Sequence, residues 1–168
     1  MEEITACYYK SPIGTIEIKG VAKGITSVQF VEKQLENNKY IYEGDNKKIY
    51  PVIIQCKNQL EEYFNGDREE FQLDIILKGT SFQNKVWNEL VKIPFGTTVS
   101  YKYIAEAVGN SKAFRAVGNA NNKNPITIVV PCHRVIGENN KLVGYGGGLW
   151  RKEWLLDHEK KFYHKGSI

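Results

Sequence analysis

Hydrophobic periodicity changes near Gly79, and that change commits the chain to an architecture of two unlike halves. Before it, apolar residues recur at every second position. Thr15-Ile16-Glu17-Ile18-Lys19 alternates, and so does the series Phe71, Leu73, Ile75, Leu77, each predicting a strand with one buried face. Cys7 to Lys10 and Ile25 to Val31 read as further strands, separated by the turn signals Ser11-Pro12-Ile13-Gly14 and Gly20 to Gly24. One helix interrupts them. Pro51 suits its first turn, and Val52, Ile53, Cys56, Leu60, Tyr63 and Phe64 share a face before Asn65-Gly66-Asp67 ends it. The polar, lysine-rich stretch from Glu32 to Tyr50 reads as loop.

After Gly79 the period becomes helical. Ser81 stands where a cap is needed for a helix carrying Phe82, Val86, Trp87, Leu90 and Val91, and Pro94-Phe95-Gly96 breaks it. A second helix is expected from Ser100 to Val108, ending at Gly109-Asn110, and a third from about Ser111 through Ala120. Asn121 to Asn124 before Pro125 reads as a turn, and Ile126 to Val130 as a short strand stopped by Pro131. A glycine-rich loop, Gly144 to Gly148, precedes a last helix from Trp150 to Glu159. The expected fold is a small α/β domain over residues 1–78 and a mainly α domain over residues 79–168.

A length of 168 residues accommodates two such halves. No apolar run approaches the ~20 residues that span a membrane, and Met1-Glu2-Glu3-Ile4 is acidic where a signal peptide would be basic. A cytoplasmic chain with no membrane association is expected. The net charge of +4 suits a polyanionic partner but is too small to identify one. The three cysteines, Cys7, Cys56 and Cys132, are far apart and lack Cys-x-x-Cys spacing, which argues against a disulfide framework and a zinc site. Cys7 and Cys56 read as core residues.

Cys132 differs because of its neighbours, Pro131-Cys132-His133-Arg134-Val135. A thiol attacks as the thiolate, and a positioned base lowers its pKa from about 8.5. In a strand Cys132 and His133 would point to opposite faces, so the pair works together only if the backbone turns after Pro131. Glu159, closing the last helix beside His158, is a carboxylate able to orient an imidazole. Asn124 is placed to tie the turn ahead of Cys132.

The two helices joined by Gly109-Asn110-Ser111 have the proportions of a helix-turn-helix. The second is rich in small residues, with Ala113, Ala116, Gly118 and Ala120 around Phe114 and the single large cation Arg115. Such a helix approaches a groove wall closely, and a lone Arg fills the space a displaced base leaves, which suits base flipping better than sequence reading. Ser100 and Tyr101 start the preceding helix, and the Tyr101 phenol can donate a proton or hydrogen bond. Tyr145 and the glycines after it can wall a flat pocket.

Together these residues resemble the O6-alkylguanine-DNA alkyltransferase family. The resemblance is dense from Gly79 to Glu159. It is carried by Thr80-Ser81-Phe82-Gln83, Val86-Trp87, Phe95-Gly96, Ser100-Tyr101, Arg115-Ala116-Val117-Gly118-Asn119-Ala120, Asn124-Pro125, Pro131 to Val135, Gly147-Gly148-Leu149 and Lys152-Glu153-Trp154-Leu155-Leu156. It implies that Cys132 accepts the alkyl group once and irreversibly, that His133 acts as base through a water, and that Glu159 orients His133. It implies that Asn124 braces the site, that Tyr101 protonates the departing guanine, and that Arg115 occupies the vacated stack. Ala113, Phe114, Ser100 and Tyr101 would join Arg115 in contacting DNA through the minor groove. Val135, Tyr145, Gly146, Gly147 and Gly148 would line the guanine pocket. The first half would be the family's ribonuclease-H-like domain, and the protein a monomer that needs no cofactor.

Three points of contrast matter. The family often has Ser where Gly146 stands. Some members hold zinc through N-terminal cysteines and histidines, and this chain has only Cys7 and Cys56 there, so no metal is expected. Related lesion-binding proteins carry Trp at the position of Cys132. Two other readings stay open on residues alone: a Cys-His-Glu hydrolase, and a non-catalytic helix-turn-helix regulator.

Overall fold

The computed structural model describes residues 4–44 and 48–163. The chain divides into two compact units, Met1–Leu77 and Lys78–Ile168.

The first unit is a four-stranded antiparallel sheet in the order β3-β2-β1-β4, made of β1 (Thr5–Ser11), β2 (Gly14–Val21), β3 (Gly24–Val31) and β4 (Tyr40–Glu43). Helix α1 (Pro51–Phe64) packs over the first three strands. Period-two alternation sets the register: Cys7 pairs with Ile18 and Tyr9 with Ile16, while Ile16 and Ile18 pair onward with Phe30 and Val28. That register gathers Cys7, Tyr9, Ile16, Ile18 and Val28 into the core with Ile53, Cys56, Leu60 and Tyr63 of α1. Ser11 closes the β1–β2 turn, donating its hydroxyl to Gly14 O at 2.6 Å and accepting from Ile13 N at 3.2 Å.

Two expectations need correction here. The stretch from Glu32 to Tyr50 is not all loop, since β4 pairs with β1 at the sheet edge. Its side chains are exposed or half-buried, so no apolar alternation marks it. Conversely, Phe71 to Leu77 is not a strand. Only Ile75 bridges, in parallel, to Ile25. The Gln59 side chain captures both backbone groups of Gln72, donating to its carbonyl at 3.0 Å and accepting from its N–H at 2.9 Å. At Gln72 an amide side chain thus takes the place of a neighbouring strand, while Asp74 O and Ile76 N bond to the backbone of Ile25 in β3.

The second unit is mainly helical: α2 (Ser81–Leu90), α3 (Tyr101–Ala107), α4 (Phe114–Asn122) and α5 (Leu149–Phe162). Two-residue strands β5 (Val99–Ser100) and β6 (Val135–Ile136) pair in parallel. The cap of α2 is Thr80, one residue before the expected Ser81, in a reciprocal capping box with Gln83. Helix α4 starts later than Ser111 and takes in Asn121 and Asn122, which the sequence placed in a turn. Helices α2, α3 and α4 pack on one another, and buried Trp87 donates its indole N–H to Ala120 O at 2.8 Å. Among the described residues, no helix is long and apolar enough to cross a membrane, and no cluster of three or more His, Cys, Asp or Glu is arranged to hold a metal ion.

Candidate active site

The site begins with a curl of backbone where the sequence suggested a strand. Asn124 builds it. Its Nδ2 donates to Val130 O at 2.8 Å, and its Oδ1 accepts from Ile126 N at 2.9 Å. Val130 N returns to Ile126 O at 3.0 Å, and Ile128 is held at φ +71°. A β-branched residue in that left-handed region is strained. It persists because Ile126, Ile128 and Val130 are buried on all sides. The β-branched run is apolar because it lies in the core, not because it is extended.

Pro131 leads from the curl into a single 3-10 turn, Cys132–Arg134. Cys132 N donates to Val130 O at 2.8 Å, and Arg134 N to Pro131 O at 3.0 Å. The turn removes the alternation that would have separated Cys132 from His133. Both are buried, and Asn121 Nδ2 holds Cys132 O at 3.2 Å.

Glu159, on α5, ties the turn to the last helix. Its Oε2 lies 2.6 Å from His133 Nε2. Arg134 forks onto the same carboxylate, with Nε to Oε1 at 2.8 Å and Nη2 to Oε2 at 3.0 Å, and sends Nη1 to Ile93 O at 2.7 Å. Gly96 N adds a fourth donor to Oε1 at 3.1 Å. Gly96 sits at φ +77°, and a Cβ there would collide with the Tyr163 ring, so the position favours glycine on both counts.

Electrostatics follow from these contacts. Burial opposes ionisation of Glu159, but His133 and Arg134 overcome it and hold the carboxyl well below its usual range. An ionised Glu159 is acceptor-only, so His133 must carry its hydrogen on Nε2. The lone pair is then on Nδ1, which is buried and has no hydrogen-bond partner among the described residues. Burial pushes the His133 pKa down, against the pull of Glu159, so the ring is neutral at pH 7. Burial also pushes the Cys132 thiol up, while the Asn124 amide, the Lys152 ammonium and backbone N–H groups of the turn draw it back. The arrangement is a neutral imidazole with a free acceptor nitrogen on the residue after a thiol whose thiolate has donors waiting.

Tyr101 opens α3 and acts electrostatically on Cys132. Its hydroxyl donates to Val143 O at 2.9 Å. Tyr145 is buried, with its hydroxyl unpartnered among the described residues. Val135 is fully buried in the β5–β6 pair. Gly147 O accepts from Arg151 Nη1 at 2.8 Å. Gly148 requires glycine for its φ of +95°, whereas a Cβ on Gly146 would meet only Asn122 O, at an ordinary 3.5 Å. Serine therefore fits at 146, and the glycine there is not a steric necessity.

A groove of about 460 Å³ lies in front of α4, lined by Tyr101, Phe114, Arg115, Gly118, Asn119, Asn122, Val143 and Gly144. Arg115 is exposed on it, and Phe114 is 50% exposed. Ser100 and Ala113 do not line it. Ser100 is the N-cap of α3, accepting from Tyr103 N at 3.0 Å, and Ala113 is the N-cap residue of α4.

Sequence reasoning missed three residues of this centre. Arg134, Asn121 and Lys152 are polar residues buried here, and nothing in a linear pattern distinguishes a buried cation from an exposed one. The position of Arg134 directly after the Cys-His pair was the available signal.

A buried thiol followed in sequence by a buried imidazole, in a unit that carries a helix-turn-helix, points to a DNA-binding thiol transferase, and comparison with known proteins gives the family. Residues 81–161 match the family described as 6-O-methylguanine DNA methyltransferase, DNA binding domain, and residues 4–77 match its ribonuclease-like domain. The chain is 45% identical over 150 residues to a methylated-DNA–protein-cysteine methyltransferase of Mycobacterium leprae, covering 89% of this chain and 88% of that protein. It is 46% identical to the Methanosarcina barkeri protein of the same name, covering 90% and 94%. The crystal structure of Mycobacterium tuberculosis O6-methylguanine methyltransferase superposes with a TM-score of 0.80 at 40% identity, covering 94% of this chain and 93% of that one. A structure of the same mycobacterial protein in complex with DNA gives 0.80 at 41% identity, covering 92% of each. The chain belongs to the methylated-DNA–protein-cysteine methyltransferase family.

Proposed function

We propose that the protein repairs DNA by direct reversal, moving the O6-alkyl group of guanine irreversibly onto Cys132. The observation that supports this most strongly is the 2.6 Å contact between Glu159 Oε2 and His133 Nε2. It fixes His133 with Nδ1 as the free acceptor, next in sequence to the only cysteine among the three with donors gathered around it.

The reaction runs as an in-line displacement. The Cys132 thiol gives its proton to His133 Nδ1 by way of a water molecule. The sulfur pair attacks the alkyl carbon, the carbon–O6 bond breaks, and its electron pair stays on guanine. Tyr101 supplies a proton to the departing base and is restored by the one His133 received, so the net change is a thioether and a neutral guanine. A thioether has no easy route back, and each molecule acts once. Asn124 holds the curl that presents Cys132, while Tyr145, Val135 and the backbone of Gly146 to Gly148 form the pocket for the flipped base.

Double-stranded DNA enters along α4 by its minor groove. Arg115 fills the space the flipped base leaves, with Phe114 and Tyr101 beside it on the groove wall. Ser100 and Ala113 contribute through the helix N-termini they cap. Binding to phosphates makes the affinity salt-dependent and weakly sequence-selective. The protein acts as a monomer in the cytoplasm, where it has access to the genome.

The test is a duplex carrying O6-[methyl-³H]methylguanine. Label moves to protein, reaches one equivalent and stops, and Cys132→Ser abolishes it. Turnover beyond one equivalent, or transfer by the serine variant, overturns the mechanism.

A further inference from the structure

The reaction above leaves one charged group of the site without a task. Lys152 of α5 is 0% exposed, and such a lysine is ordinarily paired with a carboxylate. Here it is not. Its Nζ donates to Val143 O at 2.7 Å, its sole hydrogen-bond partner among the described residues, and lies 5.8 Å from the centre of the Tyr101 ring. The nearby carboxylate, Glu159, is already engaged by His133, Arg134 and Gly96 N.

Nor does the carbonyl depend on Lys152. Val143 O also accepts from the Tyr101 hydroxyl at 2.9 Å, so removing the ammonium leaves no orphaned acceptor. A buried cation with no anion and a dispensable hydrogen bond costs stability. It is retained where it stands to gain an anion, and one potential anion acts on it: the Cys132 sulfur.

We propose that Lys152 is a positioning residue for the reaction, a pre-placed counter-charge that favours the Cys132 thiolate over the thiol. The inference rests on Cys132 being the alkyl acceptor. It divides the work of activation: His133 takes the proton, and Lys152 supplies the field in which the sulfur can part with it. The groups facing Lys152 are Cys132 and His133 of the 3-10 turn, Tyr101 of α3 and the Val143 carbonyl. Burial lowers the Lys152 pKa to about 8 while Cys132 opposes the shift, so the charge is present at pH 7 and a forming Cys132 thiolate favours keeping it.

The experiment uses Lys152→Met, which keeps the stem and removes the charge. Thiolate formation is followed at 240 nm, with Cys132→Ser as the blank. Burial pushes the Cys7 thiol up to about 12 and Cys56 higher still, and the blank removes the tyrosinate absorbance that begins below pH 10, so the difference signal belongs to Cys132. The midpoint is expected to rise by at least about one pH unit, cutting thiolate about tenfold at neutral pH. Alkyl transfer should fall by the same factor at pH 7 and recover as pH rises. The urea midpoint of the variant should equal or exceed the parent's. An unmoved thiolate midpoint, a rate loss equal at every pH, or a variant that is less stable or fails to fold overturns the proposal. Because the titration needs no DNA, it stands apart from the acceptor assignment. That assignment fails instead if the unsubstituted protein takes up no label from methylated duplex.

Discussion

Replacing Glu159 by Gln should convert His133 from a base into a donor, and the structure gives the size of the effect. The carboxylate receives hydrogen bonds from His133 Nε2, Arg134 Nε, Arg134 Nη2 and Gly96 N. A glutamine amide keeps one oxygen. With that oxygen toward Arg134 Nε and Gly96 N, its NH2 group faces His133 Nε2 and Arg134 Nη2. The imidazole can satisfy the new donor only by moving its hydrogen to Nδ1, which removes the acceptor from the side that serves Cys132. Loss of a general base costs about 10²- to 10⁴-fold in rate. Arg134 meanwhile stays buried with no counter-ion, and breaking such a pair from one side costs about 3–5 kcal/mol.

Urea unfolding at pH 7 measures the second effect, and tryptophan fluorescence isolates it, because Trp87, Trp150 and Trp154 all lie in the unit Lys78–Ile168. Adding Arg134→Met to the variant removes the stranded charge and should restore at least about half of the loss, a coupling outside the additivity of independent sites. The pH dependence carries its own sign. His133 has a lowered folded-state pKa, so the unfolded chain binds more protons and stability falls as pH drops below about 6.5. Glu159 is also lowered, so its contribution is whole above about 4.3 and drains away as pH falls further, toward its depressed folded value. The parent should therefore show two acid limbs, and the Gln variant only the first. A variant within about 1 kcal/mol of the parent, or a double variant whose losses simply add, would refute the reasoning.

Two further outcomes follow from the same geometry. Arg115→Ala, on the exposed face of α4, should lower repair of O6-methylguanine in duplex by at least about tenfold, with a smaller loss on free O6-benzylguanine; equal losses on both substrates count against a role in flipping. Asn124→Asp keeps the acceptor for Ile126 N, loses the donor to Val130 O and sets a negative charge near the sulfur. It should cost about 1–3 kcal/mol and move the pH profile of Cys132 modification by iodoacetamide upward, and an unshifted profile would show that Asn124 serves the fold alone.

What the sequence conveyed and what it concealed divide along a physical line. The helices of the second unit and the sheet of the first announced themselves because each buries an apolar face, and burial writes a period into the chain. The Cys-His-Glu centre was legible for a different reason: few residue types perform that chemistry, so Cys132, His133 and Glu159 stood out despite separations of up to 27 positions. Two segments were misread as strands, and they share one cause. Phe71 to Leu77 and Ile126 to Val130 both look like strands, and in both a buried amide side chain satisfies backbone groups that a strand neighbour would otherwise take. Gln59 clamps Gln72 from both sides, and Asn124 binds Ile126 N and Val130 O. An apolar segment must bury its side chains, but its backbone needs only some partner, and periodicity reports the first requirement while saying nothing of the second. The buried cations escape for the same reason. Arg134 and Lys152 look like surface residues until the fold supplies Glu159 for one and, by the inference above, the Cys132 thiolate for the other. Polar partners in the interior are fixed by tertiary geometry. In this chain that hidden layer carries the turn of Cys132: Asn124 curls the backbone, Glu159 sets the tautomer, and an otherwise ordinary cysteine becomes the residue on which the proposed chemistry depends.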